Sequence, residues 1–173
     1  HVRSRRQRQM CIRDSVRPPR SAAPSEGATR CTVSLPLQRA QLPPVPSTLL
    51  IPLAARAHGG RYFPWLDCRD AVAPALLARL DADVNGTLDD LHTVLHVLWR
   101  TRAIQEAGRA FFAEHPQALG VNLGCGLTHY FQWLDGGANQ WLDADLPEVM
   151  ALRRPLLPPP CPRTRHADLD LSQ

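Results

Sequence analysis

Two glycines one residue apart, directly behind an apolar run, constrain this chain more than any other feature. Val121-Asn122-Leu123-Gly124-Cys125-Gly126-Leu127-Thr128-His129-Tyr130-Phe131 reads as a buried strand that turns on glycine and enters a helix. Glycine lets the backbone turn tightly and approach a ligand where a Cβ would clash. Gly-x-Gly also occurs in ordinary turns, so its context decides its weight. Here a second apolar run, Trp141-Leu142-Asp143-Ala144-Asp145, closes on carboxylates 19 to 21 residues beyond Gly124. That is about where a nucleoside-binding α/β fold puts the acid that holds ribose hydroxyls.

The elements around the turn follow from periodicity and punctuation. A first helix is expected over Thr48 to Ala57, capped by Thr48 or Ser47 and ended by Gly59-Gly60. A second is expected over Leu66 to Leu80, and a long third over Leu88 to Ala113, where Leu88, Leu91, Val94, Leu95 and Leu98 keep a helical period. Pro116 stops it. Then come strand Leu119 to Leu123, helix Thr128 to Leu134, strand Gln140 to Ala144, helix Pro147 to Leu157 with proline in its first turn, and strand Arg165 to Leu171. Helices followed by β-α-β-α-β predict an α/β, doubly wound, Rossmann-like parallel sheet.

Composition narrows the function classes. All 20 basic residues are Arg, and residues 1 to 30 hold eight of them, a local +6 inside a formal total of +4. The remaining 143 residues carry about −2, no electrostatic footprint for nucleic acid. Residues 1 to 45, rich in Arg, Pro, Ser and Gln, are expected to be a disordered tail. Met10-Cys11-Ile12-Arg13-Asp14-Ser15 resembles a translated sequencing adapter, so the first fifteen or so residues are expected to be non-native. No apolar run reaches 18 residues, and no apolar core follows the Arg-rich start, so neither a membrane span nor a signal peptide is expected. The five Cys at 11, 31, 68, 125 and 161 form no C-x-x-C pair; reduced thiols in a cytoplasmic protein are expected.

Two metal-like patterns compete for attention. Residues 81 to 92 carry D-x-D-x-N-G with an apolar eighth position, like an EF-hand calcium loop built on Asp81, Asp83 and Asn85, but His92 stands where calcium loops use a bidentate Glu. The simpler reading is a helix end, an Asn-Gly turn and a helix capped by Thr87. His92 and His96 share a helix face without the Glu of H-E-x-x-H, which favours packing over zinc. At the glycine turn, Asp145 or Asp143 would take ribose hydroxyls, and Asp168 the exocyclic amine of adenine. His129 stands at the third glycine position of G-x-G-x-x-G, which disfavours the rival reading of an NAD(P)-type oxidoreductase.

Trp99-Arg100-Thr101-Arg102-Ala103-Ile104, Val121 to Gly126 and above all Asp145-Leu146-Pro147-Glu148-Val149-Met150-Ala151-Leu152-Arg153-Arg154 resemble the leucine carboxyl methyltransferase family, a class I group that includes tetracenomycin-type polyketide O-methyltransferases. The resemblance covers roughly residues 47 to 173. It implies a helical cap over residues 46–115, a first part of an S-adenosylmethionine-binding domain over 116–173, and methyl transfer to an oxygen of a small carboxylate or polyketide-like acceptor. By position it assigns cofactor contacts to Arg100, for the methionine carboxylate, to Gly124, Cys125 and Gly126, to Asp145-Leu146 at the ribose, and to Asp168-Leu169 at the adenine. The chain departs from the family's G-x-G-L-D-T-R-F at Thr128, His129 and Tyr130, and Gln105 replaces a common acid. The later strands of the family fold are absent, so a fragment with an open sheet edge, inactive alone, is expected. Neither the catalytic residues nor the oligomeric state is written in the sequence.

Overall fold

A computed structural model describes Arg30, Cys31 and residues 47–170. The rest of the expected tail, and Leu171 at the end of the expected last strand, lie outside the described residues. The element order is α1 (Ser47–His58), two 3-10 turns, α2 (Ala73–Leu80), α3 (Asn85–Leu88), α4 (Leu91–Glu114), β1 (Leu119–Leu123), α5 (Phe131–Leu134), β2 (Gln140–Asp145), α6 (Pro147–Leu156) and β3 (Thr164–Asp168). Among the described residues the strands make one parallel sheet ordered β1-β2-β3, with Asn122 opposite Asp143 and Asp143 opposite His166. The fold is therefore the mixed α/β, partial Rossmann-like architecture that the sequence implies.

Three helices start or stop away from their expected positions, each for a local reason. Helix α2 begins at Ala73 rather than Leu66, because the Asp70 carboxylate accepts the Val72 and Ala73 N–H groups and Pro74 is tolerated only in a first turn. Helix α4 begins at Leu91 because Asp90, not Thr87, caps it, accepting from the His92 and Thr93 N–H groups. The helix expected from Thr128 is reduced to the single turn of α5. The carbonyls of Gly126, Leu127 and Thr128, which would close its first turn, instead accept hydrogen bonds from Arg153 and Arg56.

One face of the sheet is covered. Trp141 packs against Phe112 of α4 and Phe131 of α5, and Asp143, on the same face, meets Arg153 of α6. Gly120 lies under this layer, where a Cβ would come within 2.3 Å of the Trp141 ring. The other face corrects the expectation of a buried β1. Leu119, Val121 and Leu123 are about half exposed on it, because α4, α5 and α6 all pack on the opposite side. A separate apolar core joins α1, α2 and α4 through Leu53, Leu76, Val94 and Leu98 and reaches Leu152 and Leu156 of α6.

The described cysteines also correct the sequence reading. Cys68 and Cys125 are buried free thiols, but Cys31 and Cys161 form a disulfide. No spacing rule could reveal it, since 130 positions separate them. What brings them together is Asp135, which accepts the Cys31 N–H and pairs with Arg163, two residues beyond Cys161.

Candidate cofactor site

The candidate site lies at the carboxyl ends of the strands. Past Leu123 the chain turns through Gly124 at φ +65° and Gly126 at φ +48°, a left-handed region that L side chains rarely adopt. A Cβ at Gly124 would meet nothing within 4 Å, so the turn faces open space. The Gly126 N–H donates to Asp145 Oδ2 at 2.7 Å, and the Leu146 N–H donates to Oδ1 at 2.8 Å. Asp145 thus stands at the carboxyl end of β2 with an amide on each oxygen. One strand over, the Leu169 N–H donates to the Asp145 carbonyl, which places Asp168 and Leu169 beside Asp145 and Leu146.

The other implied contacts are placed as follows. Arg100 is exposed on α4, and its charge, after that of Arg56, offsets the upward push of burial on the Tyr130 phenol, so it lies near the end of the turn. Cys125 is buried with its Sγ 3.6 Å from Met150 Sδ, and burial pushes its thiol up to about 12. Only its backbone faces the turn. Asp168 is half exposed and paired with Arg154 of α6, so an adenine amine would share it with that guanidinium. Asp143, the alternative ribose acid, is buried, accepts from Asn122 and Trp141 and pairs with Arg153 at 2.6 Å; it is a core group and not a ligand group.

These residues suit an adenosyl group better than a pyrophosphate. A dinucleotide site presents turn amides and a helix amino terminus to phosphate. In this chain the Gly126 amide is committed to Asp145, and α5 begins only at Phe131 and spans four residues. The EF-hand-like stretch is likewise no cradle. Asp81 ends α2 in a left-handed conformation, residues 85–88 wind into a helical turn, and no group of three His, Cys, Asp or Glu comes together as a metal site among the described residues.

Sequence reasoning missed the arginines that hold the turn. Arg153 is fully buried, donating to the Gly126 and Thr128 carbonyls and to Asp143. Arg56 of α1 pairs with buried Asp70 and donates to the Leu127 carbonyl, while Gln132 of α5 donates to Asp70. Helices α1 and α2 are thereby fastened to the turn. Gln105, where the resemblance implies an acid, is buried and donates its Nε2 to the Cys68 carbonyl at 3.0 Å, which a carboxylate could not do. The available signal was two acids, Asp143 and Asp145, on one strand face: the inner one has to be neutralised by a partner.

His129 adds a pH dependence. Burial, with the Arg153 charge close by, pulls its imidazole down to about 4, and burial lowers His166 as well. The unfolded chain therefore binds protons that the folded chain resists. The stability so held is intact above about pH 6.5 and is lost as pH falls toward 4. Denaturant titrations should show a loss on the order of 2 kcal/mol across that window, reduced in His129→Gln. Equal pH slopes in the two proteins would refute this assignment.

No family model matches the sequence, and no solved structure matches it. Among the described residues no helix is long and apolar enough to cross a membrane. The chain is 36% identical over 115 residues to the tetracenomycin polyketide synthesis O-methyltransferase TcmP of Streptomyces glaucescens, an overlap of 66% of this chain and 42% of that protein. It is related to an O-methyltransferase and spans less than half of that relative's length.

Proposed function

We infer that this chain is the cofactor-binding part of an S-adenosylmethionine-dependent O-methyltransferase of the leucine carboxyl methyltransferase family, whose acceptor is a carboxylate or hydroxyl oxygen of a small molecule. The observation that most supports this reading is the 2.7 Å bond from Gly126 N–H to Asp145, which fastens an open-facing glycine turn to an acid at the carboxyl end of β2. When bound, S-adenosylmethionine supplies a methyl carbon activated by a sulfonium. In this reading Gly124 and Gly126 admit the adenosyl group, Asp145 accepts from its ribose hydroxyls, Leu146 and Leu169 flank the base, and Asp168 accepts from the adenine amine. Arg100 pairs with the methionine carboxylate, a task suited to a bidentate guanidinium. The chain's own residues bind and orient; holding nucleophile and methyl carbon in line accounts for much of the rate in such transfers.

Calorimetric titration with S-adenosylhomocysteine tests the reading. The chain should bind it, with affinity lowered at least about tenfold in Asp145→Ala and in Arg100→Ala, the scale of a lost charge-assisted hydrogen bond. Asp145→Asn, which keeps an acceptor for the Gly126 amide, controls for collapse of the turn. Absence of heat with a folded chain, or unchanged affinity in Asp145→Ala, would sink it.

A further inference from the structure

His92 and His96 form a motif that the cofactor reading leaves unused. They stand on the first two turns of α4, where residues i and i+4 are neighbours on one face. The expectation that they pack into the body is not met. Their face turns away from the core, which takes Val94, Val97, Leu98, Thr101 and Gln105 of the same helix, and both imidazoles are exposed. Their rings nevertheless lie against one another, with centroids 4.4 Å apart and planes inclined by 38°. Among the described residues neither ring joins a hydrogen bond or an ion pair. The capping Asp90 carboxylate is close enough to His92 for opposite charges on the two to attract.

Two imidazoles in this relation are the metal-binding half of an H-E-x-x-H helix. Zinc–nitrogen bonds of about 2.0–2.1 Å set two ligating nitrogens roughly 3.3 Å apart in a tetrahedral arrangement. Exposed rings already in contact reach that spacing by turning about their side-chain bonds, with no shift of the helix. The Glu of H-E-x-x-H is a general base and not a ligand. Thr93 occupies its place, and the Thr93 hydroxyl is committed to Asp90 Oδ2 at 2.6 Å, so the pair offers binding without hydrolytic chemistry. No third His, Cys, Asp or Glu completes a cluster among the described residues, which leaves the other coordination positions to water.

We propose that His92 and His96 form a reversible site for a divalent transition-metal ion, zinc or copper, chelated by the two imidazoles and completed by water. Imidazole suits these ions, whereas magnesium and calcium take oxygen ligands and pass the site by. Bound metal ties the first turn of α4 to the second. With two protein ligands the site loads and empties with the free metal concentration, unlike a closed four-ligand structural site. The inference is independent of the cofactor reading, because it uses none of the residues assigned there.

Trp99, three residues beyond His96 and 66% exposed, is a built-in reporter for this stretch of α4. Titrations of the full chain with Zn2+ by calorimetry and with stoichiometric Cu2+ by fluorescence test the proposal, with Mg2+ as the control. Zn2+ should bind, and its affinity should fall at least about tenfold in His92→Gln and in His96→Gln, no less than the cost of losing an outer partner of a metal ligand. Both positions are exposed, so circular dichroism should show each variant folded. Cu2+ should quench tryptophan emission, and Trp99→Phe should remove most of that quenching although Trp65, Trp133 and Trp141 remain. Mg2+ should do neither. Unchanged zinc affinity in a folded single variant, quenching that survives Trp99→Phe, Mg2+ binding as tight as that of Zn2+, or no zinc binding to the folded chain would each overturn the proposal.

Discussion

Replacing Arg153 by Met is expected to cost 3 kcal/mol or more, roughly the scale for breaking one side of a buried ion pair, and to leave little folded protein at 37 °C. Its guanidinium has no exposed surface and holds three separate oxygens: one of Asp143 and the carbonyls of Gly126 and Thr128. Methionine fills much of the volume but strands a buried carboxylate and two buried carbonyls. Removing the carboxylate as well should recover part of the loss, because Asp143→Asn still accepts from Asn122 and Trp141 without a charge to be matched. Urea denaturation of Arg153→Met, Asp143→Asn and the double variant measures this. Additive losses in the double variant would mean that the pair is not coupled.

Gly120→Val should be the second most damaging substitution, and for a purely steric reason. A Cβ at this position would fall 2.3 and 2.4 Å from Trp141 ring carbons and 2.9 Å from the tip of Phe112. None of these can withdraw easily: Trp141 is pinned by its indole N–H on Asp143 and by the Phe131 ring. Overpacking of this kind typically costs about 1 to 3 kcal/mol even when one methyl is added, and valine adds more. Trp141→Leu vacates the space, so the pair Gly120→Val and Trp141→Leu is expected to be more stable than Gly120→Val alone. Thermal melts that rank the double variant below the single one would show that the clash is not the cause.

These two positions also show where the sequence is legible. The Gly-x-Gly turn, proline at the start of α6 and the alternation of helix and strand locate β1, β2 and the start of β3 to within a residue, because these signals act within a few positions, whereas β3 ends at Asp168 and not at the expected Leu171. Gly120 itself reads as an unremarkable strand residue; its importance comes from Trp141 on the neighbouring strand. Asp143 and Asp145 look equivalent in a list of carboxylates, yet one is the hub of the core and the other borders the site. What separates them is depth along β2 and the reach of Arg153 from the following helix, both properties of packing. The brevity of α5 has a similar origin, since Thr128 to Leu134 has no breaker, and the competition comes from arginines 70 positions before and some 25 after the turn. The meeting of the glycine turn with Asp145 was thus readable, from Gly124, Gly126 and the Asp145-Leu146-Pro147 run. Its supports, Arg56, Asp70, Gln105 and Arg153, were not.

The bond between Cys31 and Cys161 changes what kind of object the oxidised polypeptide is. Every helix from α1 to α6, and both β1 and β2, lies between the two cysteines, while β3 lies outside them. Covalently the chain is a closed ring carrying almost the whole body, with residues 1–30 leaving it at one cysteine and the tail that carries β3 leaving it at the other. A cut anywhere in the ring opens it without releasing a piece, so backbone integrity and molecular mass become independent properties of the oxidised form. The tail strand alone can leave its place in the sheet without any part of the ring having to follow.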